Sequence, residues 1–279
     1  MRLRHCLLAA GFSMAVATFA MADVTGKVTL SGKAPEPKTI DMSGVKECAA
    51  MHADPAVEET IVADDKGNLA NVVISVKTDD PATLGGEVPK TAAVIDQKGC
   101  MYTPHVLAMM VGQELMVKND DPFLHNVHSL AQTNPGFNFA QQNKDNGKAA
   151  PSPKAPETIK IKCDVHPWMA AWIVVLDNPF FSVSKEDGTF AIKGLPDGDY
   201  TLQAWHEKFG TSEQKVSVKG GNATVNFTFK ADSAQADPVP SNVKLASDEK
   251  TMSCPECDAA AAPVLAKAAP ATQPVAMAK

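Results

Sequence analysis

The chain has 279 residues, 44% hydrophobic and 6% aromatic, with a net charge of −6, which leaves room for one large or two modest domains. Arginine occurs only at Arg2 and Arg4, so the body of the chain lacks the bidentate fork that phosphate and base recognition use, and nucleic acid is excluded as a partner. No nucleophile with a base and an orienting group stands at a recognisable spacing, so no enzymatic role is expected.

Residues 1–22 read as a secretory signal. Arg2 and Arg4 form the charged region, Leu7 to Phe19 the apolar region, and Ala20-Met21-Ala22 an A-x-A cleavage site that leaves Asp23 as the mature N-terminus. The apolar run is short for a membrane span, so the mature chain is expected in the periplasm or secreted, with no membrane segment. Cleavage removes both Arg and takes the net charge from −6 to −8.

The next segments carry strand patterns. Val24, Val28 and Leu30 share one face of a period-2 pattern, and Leu69 to Lys77 is β-branched and apolar. Residues 43–60 read as irregular or weakly helical. A strand begins at Ala92 and leads to Gly99-Cys100. His105 to Val111 and Glu114 to Asn119 read as a hairpin turned by Gly112-Gln113. Thr133 to Thr158 is polar and reads as a long loop, with a short edge strand near Phe137 to Phe139. Ile159-Lys-Ile-Lys-Cys163 alternates strictly and delivers the thiol inward at its end. Ala171 to Leu176 is a continuous apolar run, expected to be buried on both faces. After Asp177-Asn178-Pro179, short strands with regular turns run to Phe229, a β-sandwich signature. From Ala231 the composition is Ala, Pro, Asp, Ser and Lys, and a disordered tail is expected.

Cys163-Asp-Val-His166-Pro-Trp-Met169 presents a thiolate, an imidazole and a thioether in the pattern C-x2-H-x2-M. A second imidazole source lies upstream in Pro122-Phe-Leu-His125-Asn-Val-His128. Two His, one Cys and a weak axial Met are the donor set of a blue-copper site. Zinc rarely takes a thioether and prefers four strong donors. Taken singly, each residue has a structural explanation: a buried free thiol, a surface His, a core Met. Their joint spacing in a strand-rich exported chain favours one copper ion. The cysteine count agrees. Without Cys6, five remain, and a metal-bound Cys163 leaves four to pair, most simply Cys48 with Cys100 and Cys254 with Cys257.

The stretch "VGQELMVKNDDPFLHNVHSL" together with "CDVHPWM" resembles the cupredoxins, and among them the amicyanins. That resemblance implies a Greek-key β-sandwich, His125 rather than His128 as the ligand beside Cys163, His166 and Met169, and Asn126 bracing the Cys strand. It also implies a type 1 copper ion and a redox protein as partner. The chain departs from the pattern at Ile161, where an aromatic is usual, and at Ala170-Ala171, where a Gly commonly follows the Met. "SKEDGTFAIKGLPDGDYTLQAWHEKFG" resembles the carboxypeptidase-regulatory-like domains, which are small transthyretin-like or carbohydrate-binding-like sandwiches. The whole arrangement resembles exported proteins described as methylamine utilisation proteins.

The expected fold is therefore all-β: a copper sandwich over residues 23–177, a second sandwich over 178–230, and a tail over 231–279. The expected function is one-electron transfer. The alternatives are copper trafficking without fast redox, or a non-metal glycan- or protein-binding module. Cys48, His52, Cys100 and His105 could form a second metal site, but a Cys48–Cys100 disulfide with two structural His is the simpler reading. His206 reads as structural or interdomain, Met109-Met110 as core, and Cys254-Pro-Glu-Cys257 as a local disulfide.

Overall fold

A computed structural model describes residues 21–81 and 84–235. Its strands are β1 (Met21–Ser31), β2 (Val73–Lys77), β3 (Ala93–Lys98), β4 (Met101–Thr103), β5 (Val106–Met110), β6 (Leu115–Asn119), β7 (His125–Ser129), β8 (Asn138–Gln141), β9 (Asp145–Ala150), β10 (Glu157–Lys162), β11 (Ala170–Leu176), β12 (Phe181–Val183), β13 (Thr189–Pro196), β14 (Gly198–His206), β15 (Gly210–Val218), β16 (Ala223–Thr224) and β17 (Phe227–Lys230). Helix content is slight: the four-residue α1 (Lys46–Ala49) and one 3-10 turn at Ala231–Ser233. The all-β class expected from the alternating patterns is the class observed. Cys254 and Cys257, most of the tail and nearly all of the expected signal lie outside the described residues.

Four sheets form two sandwiches. The central sandwich packs β5-β11-β10-β7-β8 on β4-β3-β6-β9 around Ile95, Val117, Ile161, Ile173 and Met109. The flanking sandwich packs β13-β1-β16, with β17 also on β1, against β12-β2-β14-β15 around Val28, Leu69, Ile74, Ile192 and Leu202. This redraws the expected boundary. β1 pairs with β13 at Val24↔Ile192, and β2 lies between β12 and β14, so these two strands ahead of β3 belong to the flanking sandwich. The central sandwich is an insertion between β2 and β12. Alternation along β1 marks its buried face but not the sheet it joins, because a pairing partner some 170 residues away leaves no local signal. β1 is also approached closely: a Cβ on Gly26 would stand 1.7 Å from the Val225 carbonyl oxygen, so only Gly fits there.

Two further expectations change. β5 and β6 lie in opposite sheets, so Gly112-Gln113 makes an arch rather than a hairpin; the Gln113 side chain ties it by accepting from Met110 N (3.0 Å) and donating to Thr91 O (2.9 Å). The polar stretch 133–158 is not one loop. The short edge strand expected near Phe137 to Phe139 is β8, and β9 is a second one that was not expected; they edge the two sheets, and Glu157 accepts from the backbone N–H groups of Thr133 and Asn134 to hold the first turn.

β11 explains its continuous apolar run. Ala171, Ile173 and Val175 face the central core, while Trp172, Val174 and Leu176 pack on Val73, Val183 and Trp205 of the flanking sandwich. Trp172 and Trp205 meet edge to face, centroids 5.5 Å apart. Asn178 clamps the return crossing: its side chain donates to Val76 O at 3.0 Å and accepts from Phe180 N at 3.0 Å.

His206 ends β14 against the rings of Phe209 and Phe229, and its Nδ1 accepts from Lys208 N. Burial pulls this imidazole down to about 4, with His105 and Lys208 adding to the effect against Glu207. A folded-state value below the unfolded 6.5 means that the unfolded chain binds the extra proton between pH 6.5 and 4, so stability falls as pH falls through that window. The span corresponds to about 3 kcal/mol at 1.36 kcal/mol per unit. Urea midpoints of the wild type are expected to drop from pH 7 to pH 4.5 more than those of His206→Asn, which keeps an acceptor for Lys208 N–H. Parallel pH profiles would refute the assignment.

Candidate metal centre

β7 and β10 are neighbours, paired at Lys162↔His128 and Ile161↔Ser129. His125 opens β7, and Cys163 follows the last residue of β10. The ligand loop then closes on itself: Cys163 N donates to Met169 O (3.2 Å), Met169 N to His166 O (2.9 Å) and His166 N to Cys163 Sγ (3.4 Å). Pro167 fits the turn because no N–H is required of it.

This brings three expected ligands together. His125 Nδ1 and His166 Nδ1 stand 3.0 Å apart, and Cys163 Sγ lies 3.8 Å from His166 Nδ1. One ligand atom from each residue falls within a 4.8 Å cluster, and all three residues are buried. Met169 ends the same loop and is fully buried in the central core. His128 points elsewhere: its Nδ1 pairs with Asp164 at 3.0 Å on the outside of β7. Asn126 ties down the residue after Cys163, its Oδ1 accepting from Asp164 N at 2.6 Å and its Nδ2 donating to Asn138.

The electrostatics suit a thiolate. Burial pushes the Cys163 thiol up, but hydrogen bonds from the His125 and His166 rings and from the N–H groups of Asn126 and His166 outweigh it and bring the thiol down to about 6. Burial pulls His125 down, and the hydrogen bonds and charges of Asp121 and Cys163 more than offset this, leaving it above its ordinary value.

Asp121 is the residue that sequence reasoning missed. Its fully buried carboxylate accepts from His125 Nε2 (2.8 Å), Gly99 N (2.8 Å) and Cys100 N (2.8 Å). The bond to Nε2 leaves His125 Nδ1 free to face the cluster. Gly99 and Cys100 form the two-residue turn between β3 and β4 with φ of +62° and +55°, as a type I′ hairpin requires. Asp121 thus fixes both an imidazole and a left-handed Cys from one position. The only advance signal was its place four residues before His125, in a run with Asp120 and Asp121 side by side.

The disulfide is Cys48–Cys100, with Cα atoms 5.6 Å apart. It anchors a strap, residues 38–58, closed on itself by Ile40 N→Ala56 O and Glu58 N→Lys38 O, both 2.8 Å. Ile40, Met42 and Cys48 enter the central core at its ligand end. His52 and His105 do not join the two cysteines in a metal group. His52 Nε2 bonds Gly99 O at 2.7 Å, and His105 pairs with Glu207 across the sandwich interface. Trp168 packs on the His166 ring, centroids 5.2 Å apart, and donates to Cys100 O at 3.0 Å.

No protein-family model matches the chain, and no curated protein matches it. Among solved structures it is similar to a purple cupredoxin from Nitrosopumilus maritimus, at 23% identity and a TM-score of 0.26 over 30% of this chain and 99% of that one. It is also similar to an oxidized variant of amicyanin, at 21% identity and a TM-score of 0.28 over 37% of this chain and 98% of that one. A copper-containing nitrite reductase from Thermus scotoductus SA-01 matches at 18% identity and a TM-score of 0.27, over 37% of this chain and 25% of that one.

Proposed function

We propose that this chain is an exported one-electron carrier that holds a single copper ion with His125, Cys163, His166 and Met169. The observation that carries the reading is the convergence of two Nδ1 atoms and one thiol in a buried cluster. Two imidazoles and a thiolate with a thioether nearby suit copper, since soft sulfur and imidazole donors select it over harder ions. Copper bound by this set exchanges one electron between its cupric and cuprous states.

The protein's own residues hold, orient and exclude. Asp121 keeps the proton on His125 Nε2, so Nδ1 offers its lone pair. Asn126 pins the backbone after Cys163, and the loop's internal hydrogen bonds hold His166 and Met169 at set positions. Ile161, Met169 and Cys48 are buried with Cys163 in one apolar cluster, and Trp168 packs against it. Donors fixed this way need little rearrangement when the metal's charge changes, which favours fast transfer. Exposed Val165 and Pro167 flank His166 and offer an apolar contact for a redox protein close to a ligand ring.

The test is a visible spectrum of the protein titrated with cupric ion. An intense thiolate-to-copper band with one ion per chain is expected, absent in Cys163→Ser and perturbed in His125→Ala. Colourless copper binding would move the assignment to copper trafficking. A protein that takes no copper would end the electron-carrier reading and leave a binding module.

A further inference from the structure

The disulfide touches the proposed centre. The sulfurs of Cys48 and Cys100 and a ring nitrogen of His166 lie within 4.8 Å of one another, and Cys100 Sγ lies equally close to a ring nitrogen of His125 and to the Asp121 carboxylate. Cys48 and Cys100 are wholly buried and His166 is 3% exposed. Two sulfurs that serve only as a staple could sit anywhere along the strap. Here they lie beside His166, a proposed ligand of the centre.

We propose that before this disulfide closes, Cys48, Cys100 and His166 bind one cuprous ion and form a loading site for the centre at Cys163. The inference rests on the electron-carrier reading for the centre it loads, and the two sites share His166. Every chain is synthesised with its cysteines as thiols, so the dithiol form precedes the closed one. Two thiolates and an imidazole are a soft, low-coordinate donor set of the kind that selects Cu(I).

The positions of these thiols do not depend on the S–S bond alone. Cys100 is fixed by the left-handed turn that Asp121 holds through two N–H bonds. Cys48 is fixed by α1 and by the strap, which His52 tethers to Gly99 O. Opening the sulfur pair to ~4 Å would seat one ion with metal–sulfur bonds of ~2.3 Å.

The sequence of events balances. Two thiols each release one proton as they coordinate the ion. The ion then passes along the shared His166 to His125 and Cys163. The freed thiolates pass two electrons to a disulfide compound, which takes up two protons from water and leaves as two thiols, while the Cys48–Cys100 bond forms.

The experiment uses a chain with Cys6, Cys163, Cys254 and Cys257 all changed to Ser, which removes the proposed blue centre and the tail thiols. The dithiol and disulfide forms are titrated anaerobically against a chromophoric Cu(I) chelator. The dithiol form is expected to withdraw one Cu(I) per chain, with a cuprous-thiolate band in the ultraviolet, and the disulfide form none. Cys48→Ser and His166→Ala in this background should each weaken binding at least tenfold. Far-UV circular dichroism and urea midpoints of each variant should match those of its parent, which separates lost ligation from a loosened fold. A dithiol form that takes no Cu(I), a disulfide form that takes as much, or binding indifferent to His166→Ala would each overturn the proposal. The blue band of the otherwise unaltered chain is read separately: its absence alongside intact dithiol binding would sink the electron-carrier reading and the loading role while leaving the Cu(I) site, and its presence without dithiol binding would sink the loading site alone.

Discussion

Replacing Asp121 with alanine is expected to lower stability by about 3–5 kcal/mol, the range for breaking a buried charged interaction, and to weaken copper binding about 10–100-fold, as losing the partner of a metal-bound His does. Three donors lose their acceptor at once: Gly99 N, Cys100 N and His125 Nε2. The turn they hold is costly for Cys100, whose φ of +55° disfavours any residue with a Cβ. Without the carboxylate the turn relaxes, and with it move Cys100, the disulfide and the acceptor carbonyl for Trp168. Asp121→Asn should rescue little. One of its two terminal atoms becomes an N–H donor, and either position faces a backbone N–H that also donates. The pH dependence has a definite sign. Burial pushes the Asp121 carboxyl up, but the hydrogen bonds from His125, Cys100 and Gly99 outweigh it and hold it below its ordinary value. Its contribution is therefore present above the usual carboxylate range and lost as pH falls through it, so the gap between wild type and Asp121→Asn should narrow in acid. Urea unfolding followed across pH, with copper affinity by chelator competition, reads all of this. Wild-type midpoints and affinity in Asp121→Ala would show that the carboxylate only fills space.

How much of this could be read in advance varies with the range of the interaction. The strict alternation of Ile159, Ile161 and Cys163 places the thiol at a strand end facing the core, and the structure has it there. The apolar run from Ala171 to Leu176 signals burial on both faces, and both faces are covered. Each of these depends on a side-chain period within a few residues. The pairing of β1 with β13 depends on no local feature, which is why the flanking sandwich could be recognised in part but not completed. The arch at Gly112 carries the same turn residues as a hairpin, and only the sheet across the core decides between them. β8 was legible through Phe137 and Phe139, whereas β9 is an edge strand with polar residues on both faces and lacks the contrast that makes a strand legible. Asp121 is a fourth kind of case. An acidic residue before a His can lie on the surface or in the core, and the Gly99-Cys100 turn that makes burial worthwhile is distant in sequence.

The second large effect is expected at Glu207, where the two sandwiches are joined by a buried carboxylate. Glu207 sits in the turn between β14 and β15, and its two oxygens reach the other sandwich: one pairs with His105 Nε2, the other accepts from Trp172 Nε1 at 3.0 Å. The indole lies against Trp205 of the flanking sandwich, and Trp172 N in turn donates to His105 O at 2.9 Å. Glu207→Ala strands two buried polar groups in an interface otherwise built of Val73, Val106 and Val174, which is expected to cost about 3–5 kcal/mol. Glu207→Gln keeps an acceptor for the indole and should cost less. Because the central sandwich is inserted between β2 and β12, this interface is what makes the two cores unfold together. Wild type should therefore give one urea transition, with Trp172 and Trp205 fluorescence and far-UV circular dichroism coincident, whereas Glu207→Ala should separate them, the Trp signal changing first. A cycle with Trp172→Phe, which keeps the buried ring and loses the N–H, should show coupling of about 0.5–3 kcal/mol. Coincident transitions at an unchanged midpoint in Glu207→Ala would mean that apolar contact alone holds the sandwiches together. The consequence for the centre is direct, since Trp172 stands three residues beyond Met169 on the strand that leaves the ligand loop. A flanking sandwich gripping that strand at Trp172 steadies the loop from outside, while Asp121 steadies it from within.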